Sequence, residues 1–157
     1  MRQILYMSSS TIAGDKADLV GILQQSRHNN ALHDITGLLW SDGTHFLQVI
    51  EGPTAFVDAT FGRITKDDRH YDLSLQHNIS IHERQFGTWT MAHRRADDPV
   101  DAYDARMRRL LNGASQRVRD PFLALMATGS LDGRRNEDRR ARTRRPRSVR
   151  WRFTCVP

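Results

Sequence analysis

The segment 44–52, THFLQVIEG, carries a primary amide in surroundings that call for none. Phe46, Leu47, Val49 and Ile50 are the residues of a buried strand, yet Gln48 lies among them. A buried amide without partners costs roughly 1–3 kcal/mol, so Gln48 needs a partner elsewhere in the fold or on a ligand. Its side chain has a carbonyl acceptor and a two-proton donor, so it can bridge two different groups. Tyr6, in the strand-like RQILYMS, supplies a phenol that is neutral at pH 7, with an ordinary pKa of about 10. Asn29, Asn30, Trp89 and Met91 complete a set of polar and aromatic residues near the ends of expected elements. Taken singly, most have bland explanations. A strand tyrosine is ordinarily core, paired asparagines cap helix ends, and Trp alternating with Met packs an interior. Gln48 has the weakest such explanation, because a structural role still demands named partners.

Several function classes are excluded at once. The chain has no GxSxG, P-loop or HExxH signature and no paired carboxylates set in a helix, so it reads as a non-enzyme. Seven scattered histidines and a single cysteine, Cys155, give neither a metal cluster nor an internal disulfide. No apolar run approaches the ~18 residues of a membrane span, and RQILYMS does not resemble a signal peptide. With 38% hydrophobic and 27% charged residues, the 157-residue chain is expected to be globular and cytoplasmic.

The elements that must position these residues follow from periodicity. Arg2–Ser8 alternates Ile4 and Tyr6 with Leu5 and Met7, which predicts a strand. Asp15 caps a helix running to about Asn29, with Leu19, Ile22, Leu23 and Ser26 on one face. DITGLLWS (34–41) and THFLQVIE (44–51) form a hairpin turning at Ser41-Asp42-Gly43. Gly52-Pro53-Thr54 opens a second helix with a stripe of Val57, Phe61 and Ile64, ending near Lys66-Asp67-Asp68. Strands are expected around 77–83 and 89–93, then helices at 101–112 and 116–128. The order β-α-β-β-α-β-β implies an α+β, ferredoxin-like sandwich, with two helices on one face of a mixed sheet. The two C-terminal helices would cover the other face.

Five pieces match one family in order and spacing: LYMSS (5–9), SRHNNALHDITGLL (26–39), FLQVIEG (46–52), RITKDDRH (63–70) and FGTWTM (86–91). Together they resemble the BLUF domain, a blue-light sensor that holds a flavin between its two helices. The resemblance covers about residues 1–95 and implies FAD as cofactor. It makes Tyr6 the electron and proton donor, with Gln48 between the Tyr6 hydroxyl and the flavin N5/O4 edge. Asn30 would hold the O4 and N3–H side, and Ile22 and Ile64 would sandwich the ring. Asn29, Arg63 and Asp67 match positions near the pyrimidine edge, and Arg69 and His70 match positions near the ribityl-phosphate side. Trp89 and Met91 match the signalling strand. Rotating or tautomerising the Gln48 amide would exchange donor for acceptor at the flavin and so change its colour.

The resemblance further implies a short, stand-alone photoreceptor with residues 1–95 as sensor and 96–133 as capping and output helices. It would signal through an unidentified protein partner or as a homo-oligomer. Residues 134–157 hold ten Arg against Glu137 and Asp138, a net of +8 where the whole chain has +6, so residues 1–133 carry −2. Such a tail is expected to be disordered. The rival reading, a ferredoxin-like nucleic-acid-binding protein, rests on this tail with Trp151 and Phe153. The body does not favour it, because FLQVIEG lacks the exposed aromatics of an RNA-binding sheet.

Overall fold

The computed structural model describes residues 1–11, 24, 26–41, 44–87 and 100–128. Its elements are β1 (Arg2–Ser10), a helical segment α1 (residues 26–32), β2 (Thr36–Ser41), β3 (His45–Gly52), α2 (Thr54–Ile64), β4 (His70–Ser80), α3 (Val100–Leu111) and α4 (Gln116–Thr128). The strands form one sheet in the order β2-β3-β1-β4. Among the described strands each neighbouring pair is antiparallel. β1 and β2 run in the same direction, with β3 between them.

Alternation along the strands divides the interior into two cores. Ile4, Tyr6, Ile35, Leu39, Phe46, Ile50 and Val57 form one, with Phe61, Ile64 and Leu73 packed against it. The expected α2 stripe is therefore the face that meets the sheet. Leu5, Leu38, Trp40, Leu47 and Val49 point to the opposite side, where they meet Met107 and Leu111 of α3 and Val118, Phe122 and Leu125 of α4. The C-terminal helices do cover the second face. Each large side chain buried this way contributes roughly 1.5–3 kcal/mol. β3 is central and every one of its residues is buried.

Several boundaries moved. β4 starts at His70 rather than 77, because an edge strand leaves Tyr71 and Leu75 exposed and so shows no apolar alternation. α1 continues past Asn29, and its exit is made by Asp34 at φ 52, with the Ile35 amide donating to the Asn30 carbonyl at 2.8 Å. Aspartate tolerates this left-handed conformation better than most residues. At the β2–β3 crossing, a Cβ on Gly37 would lie 2.1 Å from the Val49 carbonyl oxygen. Only glycine permits this approach. The start of the first expected helix, the strand expected at 89–93 and the Arg-rich tail lie outside the described residues.

Candidate functional site

Tyr6 and Gln48 are cross-strand partners in the β1–β3 ladder. Their side chains rise from the α2 face of the sheet, and the Tyr6 hydroxyl donates to Gln48 Oε1. On the β4 side of β1, register shifts fall between Leu5 and Tyr6 and between Met7 and Ser9, so the strand is re-aimed on both sides of the phenol. Tyr6 is wholly buried and its ring tilts against Phe61 of α2 at a centroid distance of 5.4 Å. Burial pushes its hydroxyl pKa well above the ordinary tyrosine value, and the negative charge of Asp67 pushes it further. Tyr6 is therefore a neutral donor throughout the pH range of an ordinary cell. Gln48 turns its carbonyl towards Tyr6, and its N–H donors form the other end of the same amide.

The remaining expected residues arrive from α1 and from the exit of α2. Asn30 is buried in the last turn of α1. The Asn29 carbonyl accepts from His33 Nδ1 at 2.8 Å, which holds that turn closed. Ile64 packs against the Tyr6 core. The turn after α2 carries Asp67, whose negative charge acts on Tyr6. Arg69 donates to Asp67 through Nε at 2.8 Å and its backbone N at 3.0 Å, so these two side chains form one partly buried ion pair. Arg63 is exposed and donates to Thr60 Oγ1 at 2.8 Å. His70 begins β4, but its side chain lies outside the described residues, as do Ile22, Trp89 and Met91.

Sequence reasoning missed a second polar cluster on the other face. Glu51 is wholly buried, three residues beyond Gln48 on β3. Its carboxylate accepts from Gln3 Nε2 at 2.9 Å, Thr36 Oγ1 at 3.2 Å, and the Gln85 and Phe86 backbone amides at 2.8 Å each. Arg84 extends the cluster to the α1–β2 turn through Thr36 Oγ1 at 3.0 Å and the Asp34 carbonyl at 2.7 Å. On the β4 side, His77 Nε2 meets Gln3 Oε1 at 3.2 Å. Since Glu51 accepts from the Gln3 amide nitrogen, Gln3 offers His77 its oxygen, and His77 carries its proton on Nε2. The signal was present in VIEG, where a charged residue follows an apolar run just as Gln48 interrupts one.

The family model of BLUF, sensors of blue light using FAD, matches residues 1–92. The chain belongs to the BLUF family. Residues 1–92 are thus a domain of a family of blue-light sensors that use FAD. Photoactivated adenylate cyclase subunit beta of Euglena gracilis is 33% identical over 89 residues, which are 56% of this chain and 10% of that protein. The blue light- and temperature-regulated antirepressor BluF of Escherichia coli is 38% identical over 48 residues, 31% of this chain and 12% of the relative. This chain thus spans about a tenth of the curated relatives it matches. Among solved structures, BlrB, a BLUF protein in its dark state, superposes with a TM-score of 0.61 at 30% identity, over 81% of this chain and 96% of that one. The BLUF domain of BlrP1 gives 0.68 at 22% identity, over 82% and 91%, a likeness of fold.

The BLUF chemistry fits the residues present. A flavin needs an apolar slot with amide donors at the ring edge, and this sheet face carries the Gln48 amide and a buried phenol, with Ile64 packed against the same core. Among the described residues, no group of side chains is arranged to hold a metal ion, and no helix is long and apolar enough to cross a membrane. Nothing among the described residues favours the nucleic-acid reading, and the tail on which it rests lies outside them.

Proposed function

We propose that the protein reports blue light by rearranging the Tyr6–Gln48 hydrogen bond and transmits the change to a separate protein or a second copy through α3 and α4. The observation that carries this reading is the buried Tyr6 hydroxyl donating to Gln48 Oε1. The flavin, when bound, supplies the absorption of blue light and an excited state that oxidises its neighbour. Tyr6 is the adjacent phenol, and a buried phenol that loses an electron must lose its proton with it. Gln48 Oε1 is the acceptor already in place. When the proton returns, the amide can come back reversed or tautomerised, with its donor end exchanged for its acceptor end. Both orientations satisfy the pair, so the exchange does not leave the phenol unpaired. Asn30 would fix the ring edge and Ile22 and Ile64 its faces. Asn29, Arg63 and Asp67 would serve the pyrimidine side, and Arg69 and His70 the ribityl-phosphate side.

Residues 1–95 act as the sensor and 96–133 as the output segment, with Trp89 and Met91, near the end of the first segment, as the signalling residues. The absence of enzyme signatures from the sequence supports a sensing rather than a catalytic role for the chain. Its lone cysteine supports a cytoplasmic setting. The test is an absorption spectrum of the purified protein before and after blue light. A flavin band that shifts red and recovers in the dark, but does not shift in Gln48→Leu, is expected. A protein that takes up no added FAD, or a Gln48→Leu variant that still shifts, overturns the reading.

A further inference from the structure

The Glu51 cluster joins the strand that carries Gln48 to the start of α4. Glu51 Oε1 holds the Gln85 and Phe86 amides at 2.8 Å, and Gln85 Oε1 accepts from the Ser115 amide, also at 2.8 Å. Ser115 immediately precedes α4, and its carbonyl accepts the Val118 and Arg119 amides at 3.0 and 2.9 Å. A serine in this position usually caps its own helix through its hydroxyl. Here the buried Ser115 Oγ has no partner among the described residues, so the helix start is held from outside, by Gln85. Pro121, inside α4, cannot donate to the Arg117 carbonyl, which leaves the first turn further dependent on that hold. The same loop is tied by Arg84 to Asp34 and Thr36, at the exit of α1.

We propose that Glu51 is a positioning residue that passes a change at Gln48 to the first turn of α4, through the 84–86 loop and Gln85. This rests on the photosensor reading above. β3 is the shared lever. Gln48 faces α2, Glu51 faces α3 and α4, and a small shift of the strand moves both. Each contact of the Glu51 carboxylate is donated to it, with two donors from the backbone of one loop. Any displacement of β3 therefore strains that loop or drags it along.

The test is backbone hydrogen exchange on the full chain with bound FAD, in darkness and under blue light, with the flavin spectrum recorded on the same samples. In the unsubstituted protein, light should change exchange at Gln85, Phe86 and Ser115. In Glu51→Leu, which removes the acceptor of the Gln85 and Phe86 amides, the flavin band should still shift red while the light-dependent change at Ser115 is lost. Gln85→Ala, which leaves the Glu51 bonds to the loop backbone intact, should raise dark exchange at Ser115 by roughly fivefold, as for one ordinary hydrogen bond. Gln85→Glu, which keeps an acceptor, should restore both the protection and the light response, a rescue that loss of packing alone would not give. If Glu51→Leu does not fold, the two Gln85 variants decide the matter. A light response at Ser115 that survives Glu51→Leu or Gln85→Ala overturns the proposal, as does its absence from the unsubstituted protein while the band still shifts. Absence of the band shift itself removes the photosensor reading, and this proposal with it.

Discussion

Replacing Tyr6 by Phe separates the photochemical role of the phenol from its structural one. The substitution keeps the ring against Phe61 and removes only a buried hydroxyl that donates to Gln48 Oε1. One such bond is worth about 1–2 kcal/mol when its partner stays buried. That predicts a fall in melting temperature of about 2–4 °C per kcal/mol lost for a chain of this size. The stability difference should also depend on pH, with a definite sign. Burial, reinforced by Asp67, raises the folded-state pKa above the unfolded value of 10.0. Above that pH the unfolded chain releases the proton and the folded one retains it. Tyr6's contribution to stability is therefore complete below pH 10 and falls by about 1.4 kcal/mol per unit above it. A Tyr6→Phe variant lacks this loss, so the two stability curves should converge and cross about one unit above pH 10. Urea unfolding at a series of pH values, compared between the two proteins, measures the crossing. Parallel curves would refute the buried neutral phenol. A Tyr6→Phe protein whose flavin band still shifts red under blue light would refute its role as donor.

Other substitutions test the scaffold. Gly37→Ala places a Cβ 2.1 Å from the Val49 carbonyl oxygen, so the β2–β3 ladder must part. We expect a loss of about 3 kcal/mol or more by urea unfolding, with weakened FAD retention, because β3 carries Gln48. His77 has its pKa lowered from 6.5 by burial and then by the charge of Arg117. Below pH 6.5 the unfolded chain therefore binds the extra proton first, and stability falls with pH until the folded pKa is reached. His77→Gln should flatten that part of the stability profile. An unchanged slope would place the acid sensitivity elsewhere.

Much of this molecule was legible in its sequence because its signals are local. Alternation in β1 divides Ile4 and Tyr6 from Leu5 and Met7, and the two cores divide on those residues. The α2 stripe of Val57, Phe61 and Ile64 was readable for the same reason, since helical spacing and one buried face are properties of a contiguous segment. Gln48 declared itself because an amide among apolar neighbours needs partners, and Tyr6 is one of them. Edge strand β4 was misplaced because a strand with a solvated face lacks apolar alternation, and only its ladder with β1 defines its extent.

What the sequence determined by itself is the set of elements and the residue types that make a photochemical pair possible. Tertiary structure alone decided which residues meet. The β1–β3 register sets Tyr6 opposite Gln48, and a slip of one residue would send one of them to the other face. Glu51 draws donors from residues 3, 36, 85 and 86, so its role depends on sheet order and on the path of a loop. Pairings at long separation leave no periodicity in a chain. They exist only once strand order brings the partners within hydrogen-bonding distance.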